Sequence, residues 1–138
     1  MSSRSEEEVM IIPSGFNNNL LWNTGHIIWV QQILVYHLAG LDTLLPENFE
    51  KKYSTGSVCH PNTSAELALM KNLLLQTTEQ TIEDYHKGVF KGFKTFSATY
   101  DEVPYQFTKW EESFQYNNIH EARHYGFMVA LNQVLKNK

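Results

Sequence analysis

The chain has 138 residues, a formal net charge of -4 at pH 7 and one cysteine. This length suits a single domain, spanning residues 1–138, with one hydrophobic core. The acidic balance argues against a nucleic-acid binder, which needs a basic face to neutralise phosphates. No apolar run approaches the roughly 18 residues of a membrane-spanning helix, and the polar start differs from a signal peptide. Because the lone Cys59 also suits a reducing compartment, the sequence predicts a cytoplasmic protein with no membrane partner.

The first 40 residues predict a short helix followed by a buried one. Ser5 and Glu8 have the spacing of a capping box, and Pro13 ends any helix that begins there after a turn or two. From Asn17 to Gly40, apolar residues cover nearly the whole helical circumference. That pattern is typical of a helix at the centre of a bundle, and Gly40 is a suitable C-terminal stop.

Two further helices are predicted in the middle of the chain. Residues 46–53 indicate a short surface helix, and Thr63 with Glu66 forms a second capping-box pattern. The helix that this pattern opens is expected to end near Gly88. Its core-facing positions, at helical spacing, are predicted to be Leu67, Met70, Leu73, Leu74, Thr77 and Ile82.

An aromatic-rich connection, residues 88–107, precedes the last helix. Its alternation permits short strand-like pieces, and its length indicates that it covers one end of the bundle or helps to form a pocket. Thr108 and Glu111 repeat the capping-box spacing, and the helix they open is expected to run to about Lys136. Three substantial helices and a stub predict an all-α bundle whose first helix is short or absent.

The sharpest local motif is the segment from His120 to His124, which reads H-E-A-R-H. Two histidines four residues apart lie on one helix face, about 6 Å apart along the axis. The motif matches that of zinc proteases, which take their third ligand downstream. The 14 residues after His124 contain no His, Asp, Glu or Cys. The protease interpretation therefore fails, and a metal site needs an upstream ligand; two ordinary histidines are the simpler alternative.

Both histidines are expected to face the core, because Phe127, Leu131 and Leu135 continue their helical stripe. Burying two imidazoles among apolar side chains is costly unless their nitrogens find partners. A metal ion is the partner that best explains such a pair.

His26, within the apolar helix, is the best third ligand. His37 shares its face but lies about 16 Å further along the axis, so we expect a hydrogen-bonded core or interface residue there. His60 and His86 have ordinary positions in a loop and at a helix end, and Cys59 is predicted to be a free thiol. Three neutral imidazoles suit Zn²⁺, Ni²⁺, Fe²⁺ or Co²⁺. They leave a coordination position open, which is characteristic of catalytic sites.

Two segments resemble the DinB/YfiT-like superfamily. Residues 15–29 carry an Asn-rich cap, then Trp22, then a Gly-His pair, and are similar to the second-helix signature of that superfamily. Residues 114–126 place a histidine four residues before a His-x-Gly triplet, as in its last helix. The resemblance runs from about Val9 to Lys136.

This resemblance implies a four-helix bundle with a divalent metal site at His26, His120 and His124. It also implies frequent homodimers and an activity related to transferases of low-molecular-weight thiols such as bacillithiol or mycothiol, or to a thiol-dependent isomerase. The first helix of the superfamily is shortened or missing here, because few residues precede Pro13.

The leading functional hypothesis is a metal-dependent enzyme acting on a small molecule, with thiol S-transfer as its reaction. A coordinated thiol loses its proton near neutral pH and stays nucleophilic. Asn117 and Glu121 flank the ligands and are candidates for orienting them or relaying protons, with solvated helix residues as the plain alternative. A metal-dependent hydrolase is the second enzyme hypothesis. A non-catalytic metal-binding or stress-associated interaction protein competes with both, and a metal position that opens into a cavity would favour the enzymes.

Overall fold

The computed structural model describes residues 5–100 and 102–136, and these are mostly helical. The elements in chain order are α1 (Glu6–Met10), α2 (Leu20–Val35), α3 (Phe49–Tyr53), α4 (Ser64–His86), β1 (Phe96–Tyr100), β2 (Val103–Phe107) and α5 (Trp110–Lys136). The helical prediction is confirmed, and a two-stranded antiparallel hairpin is added to the all-α expectation. No helix in this described part is both long and apolar enough to cross a bilayer.

Two helices begin with the capping boxes that the sequence predicts. The Ser5 hydroxyl accepts a hydrogen bond from the Glu8 backbone N–H at 3.2 Å, and the Glu8 carboxylate accepts one from the Ser5 N–H at 2.8 Å. Thr63 and Glu66 make the same reciprocal pair at the start of α4, at 3.2 and 3.0 Å. In both helices two backbone donors that the first turn leaves unpaired are satisfied locally.

The start of α5 differs from its prediction by one residue. The Thr108 backbone N–H and hydroxyl donate to the carboxylate of Glu112, at 2.9 and 3.2 Å, rather than to Glu111. Because α5 begins at Trp110, Glu112 is the third residue of the helix and reaches back over its first turn. The capping chemistry is therefore as expected but displaced along the chain.

Helix α2 lies at the centre of the fold, packed against α3 and α4 on one side and α5 on the other. Its buried residues join three core clusters. Leu21 and Ile28 face α3 and α4, Val35 packs with Trp110 of α5, and Leu34 packs with Phe107 of the hairpin. The prediction of a helix buried nearly all round is confirmed between Leu20 and Val35.

Beyond Val35 the chain departs from the predicted α-helix. His37–Ala39 form a 3₁₀ turn, which ends at Gly40 in the left-handed conformation with φ of 76°. The tighter turn moves His37 off the face it would share with His26 in a continuous helix. His37 is exposed, so the core alternative predicted for it is wrong, while the interface alternative stays a prediction.

Two predicted stripes are only partly buried. On α4, Met70, Leu73 and Thr77 are buried, whereas Leu74 and Ile82 are 41% and 55% exposed. Helix α4 buries the face that meets α2, and these two side chains lie off that face. The buried face of α4 is therefore narrower than the apolar stripe in the sequence indicates.

On α5, Leu131 and Leu135 are buried as predicted, but Phe127 is 39% exposed. Its ring meets the ring of Phe16 edge-on, with centroids 5.8 Å apart, instead of entering the core. The inward direction of His120 and His124 is therefore set by their contact with α2 rather than by a continuous apolar stripe.

The short helix α3 begins at Phe49, three residues later than predicted, and is less superficial than expected. Phe49 and Tyr53 are buried against α2, while the three residues between them are exposed. This pair carries α3 onto the side of α2 that holds Trp22 and His26.

The hairpin packs its aromatic side chains over the contact between α2 and α5. Phe107 pairs with Phe96 across the strands and contacts Leu34 and Leu38 of the α2 region. Tyr105 stacks on Tyr116 of α5, with centroids 4.9 Å apart. The connection thus covers one end of the helices and forms a wall, as its aromatic content indicated.

Candidate metal centre

Packing of α2 against α5 brings the three predicted histidines together. The ring centroid of His26 lies 5.2 Å from that of His120 and 4.8 Å from that of His124, and the last two are 4.5 Å apart. One ring nitrogen from each residue lies within 4.8 Å of the others. Ligands of a tetrahedral zinc lie roughly 3.3 Å apart, from a Zn–N distance near 2.05 Å. Small side-chain rotations close this difference, so the three residues fit one divalent ion.

His26 is oriented by the backbone of α3. Its Nδ1–H donates to the carbonyl oxygen of Tyr53 at 2.8 Å, which leaves the Nε2 lone pair available. The imidazole also stacks on Trp22, with ring planes within 7° and centroids 5.1 Å apart. Trp22 is in turn tied to the same region, because its indole N–H donates to the Lys52 carbonyl and the Ser57 hydroxyl. The ring of His26 therefore has little freedom.

The glycine of the Gly-His pair has a steric reason. A Cβ atom at Gly25 would lie 2.4 Å from Cδ1 of the Tyr53 ring, well inside van der Waals contact. Because Gly25 has none, Tyr53 packs directly on the α2 backbone, and its carbonyl comes within reach of His26. Tyr53 thus explains why a glycine precedes His26 and how the His26 ring is oriented.

His124 is oriented by Asn23, a buried residue of α2 for which the sequence predicted no role. The Nδ1–H of His124 donates to Oδ1 of Asn23 at 3.0 Å. The Asn23 amide nitrogen donates to the Asn19 carbonyl at 2.8 Å and to Oδ1 of Asn18 at 3.0 Å. These bonds keep the amide oxygen facing His124, so the Asn-rich cap of α2 supports a ligand on α5.

His120 carries a buried polar atom without a partner. Its Nδ1 has no hydrogen-bond acceptor or donor within the part of the chain that the structure describes. An unsatisfied buried polar group costs about 1–3 kcal/mol, so native proteins rarely leave one without a reason. An ion bound through Nδ1 would satisfy this atom, whereas an ion bound through Nε2 would leave it without a partner.

The environment keeps all three imidazoles neutral. Burial, together with the positive charges of His124, His26 and Arg123, lowers the pKa of His120 to about 3. Burial, His26 and Arg123 lower the pKa of His124 to about 4. Burial also lowers the pKa of His26, against the opposing effect of its bond to the Tyr53 carbonyl. Neutral imidazole is the form that binds metal ions, so the site is in its binding form at neutral pH.

Asn117 and Glu121 are joined to each other by a hydrogen bond. The Asn117 amide donates to the Glu121 carboxylate at 2.7 Å along α5, and Asn117 is buried. Its Oδ1, like Nδ1 of His120, is buried without a partner among the described residues. Glu121 is therefore tied to its own helix instead of being fully solvated.

The other histidines and the cysteine lie outside the cluster. The Nε2 of His60 lies 3.1 Å from the Glu66 carboxylate, His86 is exposed at the end of α4, and His37 is exposed after α2. Cys59 is a free thiol, and burial raises its pKa. The assignment of these four residues to roles other than metal binding is consistent with the structure.

All three histidines line one cavity of about 340 Å³. Its remaining walls come from the middle of α2, the hairpin and α5, and are mainly aromatic and aliphatic. A pocket near the aromatic connection was predicted from the sequence, but the residues that form it were not. Arg123 also lines the cavity. Its position between the two histidines of the motif is the sequence feature from which this could have been predicted.

Comparison with known proteins supports the resemblance seen in the sequence. No curated protein and no solved structure matches the chain significantly. A family model described as the DinB superfamily matches residues 1–128, which is nearly the whole chain and includes all three histidines. The chain therefore belongs to the DinB superfamily.

Proposed function

We propose that this protein is a metal-dependent enzyme that acts on a small molecule, with thiol S-transfer as its reaction and His26, His120 and His124 as metal ligands. The observation that carries the proposal is that the three neutral imidazoles converge on the wall of a cavity of about 340 Å³. A ligand cluster that faces a cavity leaves room for a substrate beside the ion, whereas structural zinc sites are closed by four protein ligands.

A bound divalent ion would supply Lewis-acid chemistry, lowering the pKa of a coordinated thiol so that the nucleophilic thiolate forms near neutral pH. The chain's own contribution is orientation. The Tyr53 carbonyl and the Asn23 amide hold two of the imidazoles in one tautomer and one direction. The apolar side chains of the cavity wall give a substrate a surface to pack against beside the imidazoles.

A metal-dependent hydrolase is our second proposal for the same site, because the same Lewis acidity activates water. Open access to the cavity supports both enzyme proposals over a non-catalytic metal-binding or stress-associated interaction protein. The identity of the metal rests on ligand chemistry, and three imidazoles favour Zn²⁺, Ni²⁺ or Fe²⁺.

We also propose that α1 is the shortened first helix of a DinB-type four-helix bundle. Met10 packs against the core cluster of α2, α3 and α4, and its carbonyl accepts a hydrogen bond from the Asn19 side chain. The stub is thus attached at the start of α2, where a longer helix would enter the bundle. A cytoplasmic location and a homodimer complete the proposal, the homodimer resting on the superfamily resemblance.

The metal site is tested by elemental analysis of protein purified without an affinity tag. We expect about one divalent ion per chain, the stoichiometry of a single site with three histidine ligands, and its loss in His124→Ala. His37→Ala is the matched control, because that histidine is exposed and lies outside the cluster. The proposed site would be refuted if the parent chain took up no Zn²⁺, Ni²⁺ or Fe²⁺, or if His124→Ala retained the ion.

The reaction is tested on metal-loaded protein with a low-molecular-weight thiol and 1-chloro-2,4-dinitrobenzene, following thioether formation and chloride release. Turnover that requires both the thiol and the ion supports S-transfer. Full metal occupancy without turnover of a panel of thiols, but with ester hydrolysis, would favour the hydrolase.

A further inference from the structure

The cavity beside the histidines has a distinctive chemical composition beyond its ligands. Most of its wall is apolar, and the residues concerned are Trp29, Val30, Ile33, Leu34 and Phe96. Trp29 lies next to the cluster, with its ring centroid 5.9 Å from that of His26. A wall of this kind stabilises an apolar or aromatic body, and a volume of about 340 Å³ is at the lower end for small-molecule sites.

A pair of tyrosines supplies a polar point on that wall. The Tyr116 hydroxyl donates to the Tyr105 hydroxyl at 3.2 Å, and both residues line the cavity. Burial, together with the bond from Tyr116, raises the pKa of Tyr105 to about 12, so its hydroxyl stays protonated at neutral pH. The Tyr105 O–H therefore remains a hydrogen-bond donor for a ligand oxygen.

Arg123 supplies the charge. Among the described residues that line the cavity, Arg123 has the side chain that is always charged at neutral pH. It lies on α5 between His120 and His124, and because its side chain is also exposed it stands at the edge of the cavity. A guanidinium has five donors in a planar fork that matches a carboxylate, so a protein contact and a ligand contact can coexist.

We infer that the cavity binds a small carboxylic acid with an aromatic or aliphatic body, whose carboxylate is held by Arg123 and whose body lies against Trp29 and the hairpin. This inference rests on the proposed function, because it names the substrate class of the same site. A single guanidinium balances a single negative charge, which favours a carboxylate over a doubly charged phosphate. The body then lies beside the three histidines, where the reacting group of the substrate is needed.

Carboxylates also bind metal ions, so the role of Arg123 has to be separated from that of the ion. Benzoate and benzamide form a suitable probe pair, because they share a ring and differ in charge. Isothermal titration measures the affinity of each for the Zn²⁺-loaded and the metal-free protein. Arg123→Gln removes the charge, and Lys136→Gln is the matched control, since it removes one charge from the far end of the same helix.

We expect benzoate to bind at least tenfold more tightly than benzamide. Arg123→Gln should weaken benzoate about tenfold or more, the loss typical of one charge-assisted hydrogen bond. It should leave benzamide binding and Zn²⁺ uptake unchanged, and Lys136→Gln should change neither ligand.

Equal benzoate affinity in Arg123→Gln and the parent chain would overturn the inference, as would no saturable benzoate binding by either the Zn²⁺-loaded or the metal-free protein. Loss of metal binding alone would have a different signature. If the parent chain takes up no Zn²⁺ but binds benzoate through Arg123, the proposed function fails and the carboxylate site stands.

Discussion

Tyr53 contacts α2 through both its ring and its backbone, and this makes Gly25 a sensitive position. The ring occupies the space of a Cβ at Gly25, and the carbonyl accepts the hydrogen bond of His26. Any side chain at position 25 pushes α3 away and removes the group that orients His26. Tyr53 therefore both packs on α2 and orients His26.

Gly25→Ala should lower the free energy of unfolding by about 1–3 kcal/mol, the usual cost of overpacking a core, and should also weaken Zn²⁺ binding. Urea denaturation and a competition titration measure the two effects. Gly126→Ala is the control, because Gly126 is helical and a Cβ there meets nothing within 4 Å. That variant should gain about 0.5–1 kcal/mol from helix propensity. Equal stability of Gly25→Ala and the parent chain would contradict the packing argument.

The lowered pKa values of His120 and His124 predict how the stability of the metal-free protein depends on pH. Both are near 6.5 when unfolded and about 3 and 4 when folded. Below pH 6.5 the unfolded chain therefore binds more protons than the folded chain. Stability should be full above pH 6.5 and fall as the pH drops towards 4.

Urea unfolding at intervals between pH 7 and 4.5 measures this slope. Hydrogen bonds from Lys52 and His60 outweigh the opposing effect of burial and lower the pKa of Glu66 to about 2. Protonation of Glu66 therefore reduces the stability of the fold mainly below this pH range. In a His120→Gln, His124→Gln double variant the slope should be markedly reduced. A parent chain whose stability is flat over this range would show that the two imidazoles titrate normally in the fold.

At the level of elements, the contact between α2 and α5 depends on a polar link near the metal centre. Asn23 is fully buried, and its amide joins the cap of α2 to His124 of α5. Outer contacts of this kind typically change metal affinity by about 10- to 100-fold when removed.

Asn23→Leu should therefore weaken Zn²⁺ binding by about 10- to 100-fold, measured by competition with a chromophoric chelator. Asn23→Asp keeps an acceptor for His124 and should retain more affinity than the leucine variant. Asn118→Leu, on an exposed position of α5, is the neighbouring control. Unchanged affinity in Asn23→Leu would show that His124 is oriented by packing alone.

Elements that depend on local chemistry were predictable from the sequence. The caps at Ser5 and Thr63 and the apolar circumference of α2 act within one or two turns, and all three predictions hold. The clustering of the three histidines was also predictable, because two share a helix face and the third lies in the most buried helix.

What the sequence did not show depends on contacts between distant segments. The hairpin forms through cross-strand pairing and through packing on α2 and α5. The alternation of apolar and polar residues in this segment is too irregular to predict two strands. The roles of Asn23 and Tyr53 likewise appear only when α2 meets α5 and α3. His37 is exposed because the chain forms a 3₁₀ turn there, and the α-helical spacing of apolar residues does not predict such a turn.

At the scale of the whole molecule, α4 and α5 carry exposed apolar side chains. Leu75, Ile82 and Tyr85 of α4 and Ile119 of α5 are all largely accessible to solvent. Surfaces of this kind often mark protein–protein contacts. They give a physical reason for the homodimer that the superfamily resemblance implies.

We expect light scattering after size-exclusion chromatography to give twice the chain mass. Ile82→Glu should shift the protein towards the monomer, because a buried, unpaired carboxylate is costly in an interface. Glu79→Gln is the control on the same helix, at an exposed position that is already polar. A monomeric parent chain at high concentration would contradict the dimer.

The hydrogen bond between Asn23 and His124 joins residues 101 positions apart in the chain. The proposed metal centre therefore cannot form in a nascent chain until α5 has been synthesised and has docked. An ion that binds only the finished fold stabilises it by mass action, by about 2.7 kcal/mol at a free concentration of 100 times Kd. Supply of the metal during synthesis would then determine the folded yield as well as the activity, and chelation during expression should lower the amount of native protein recovered.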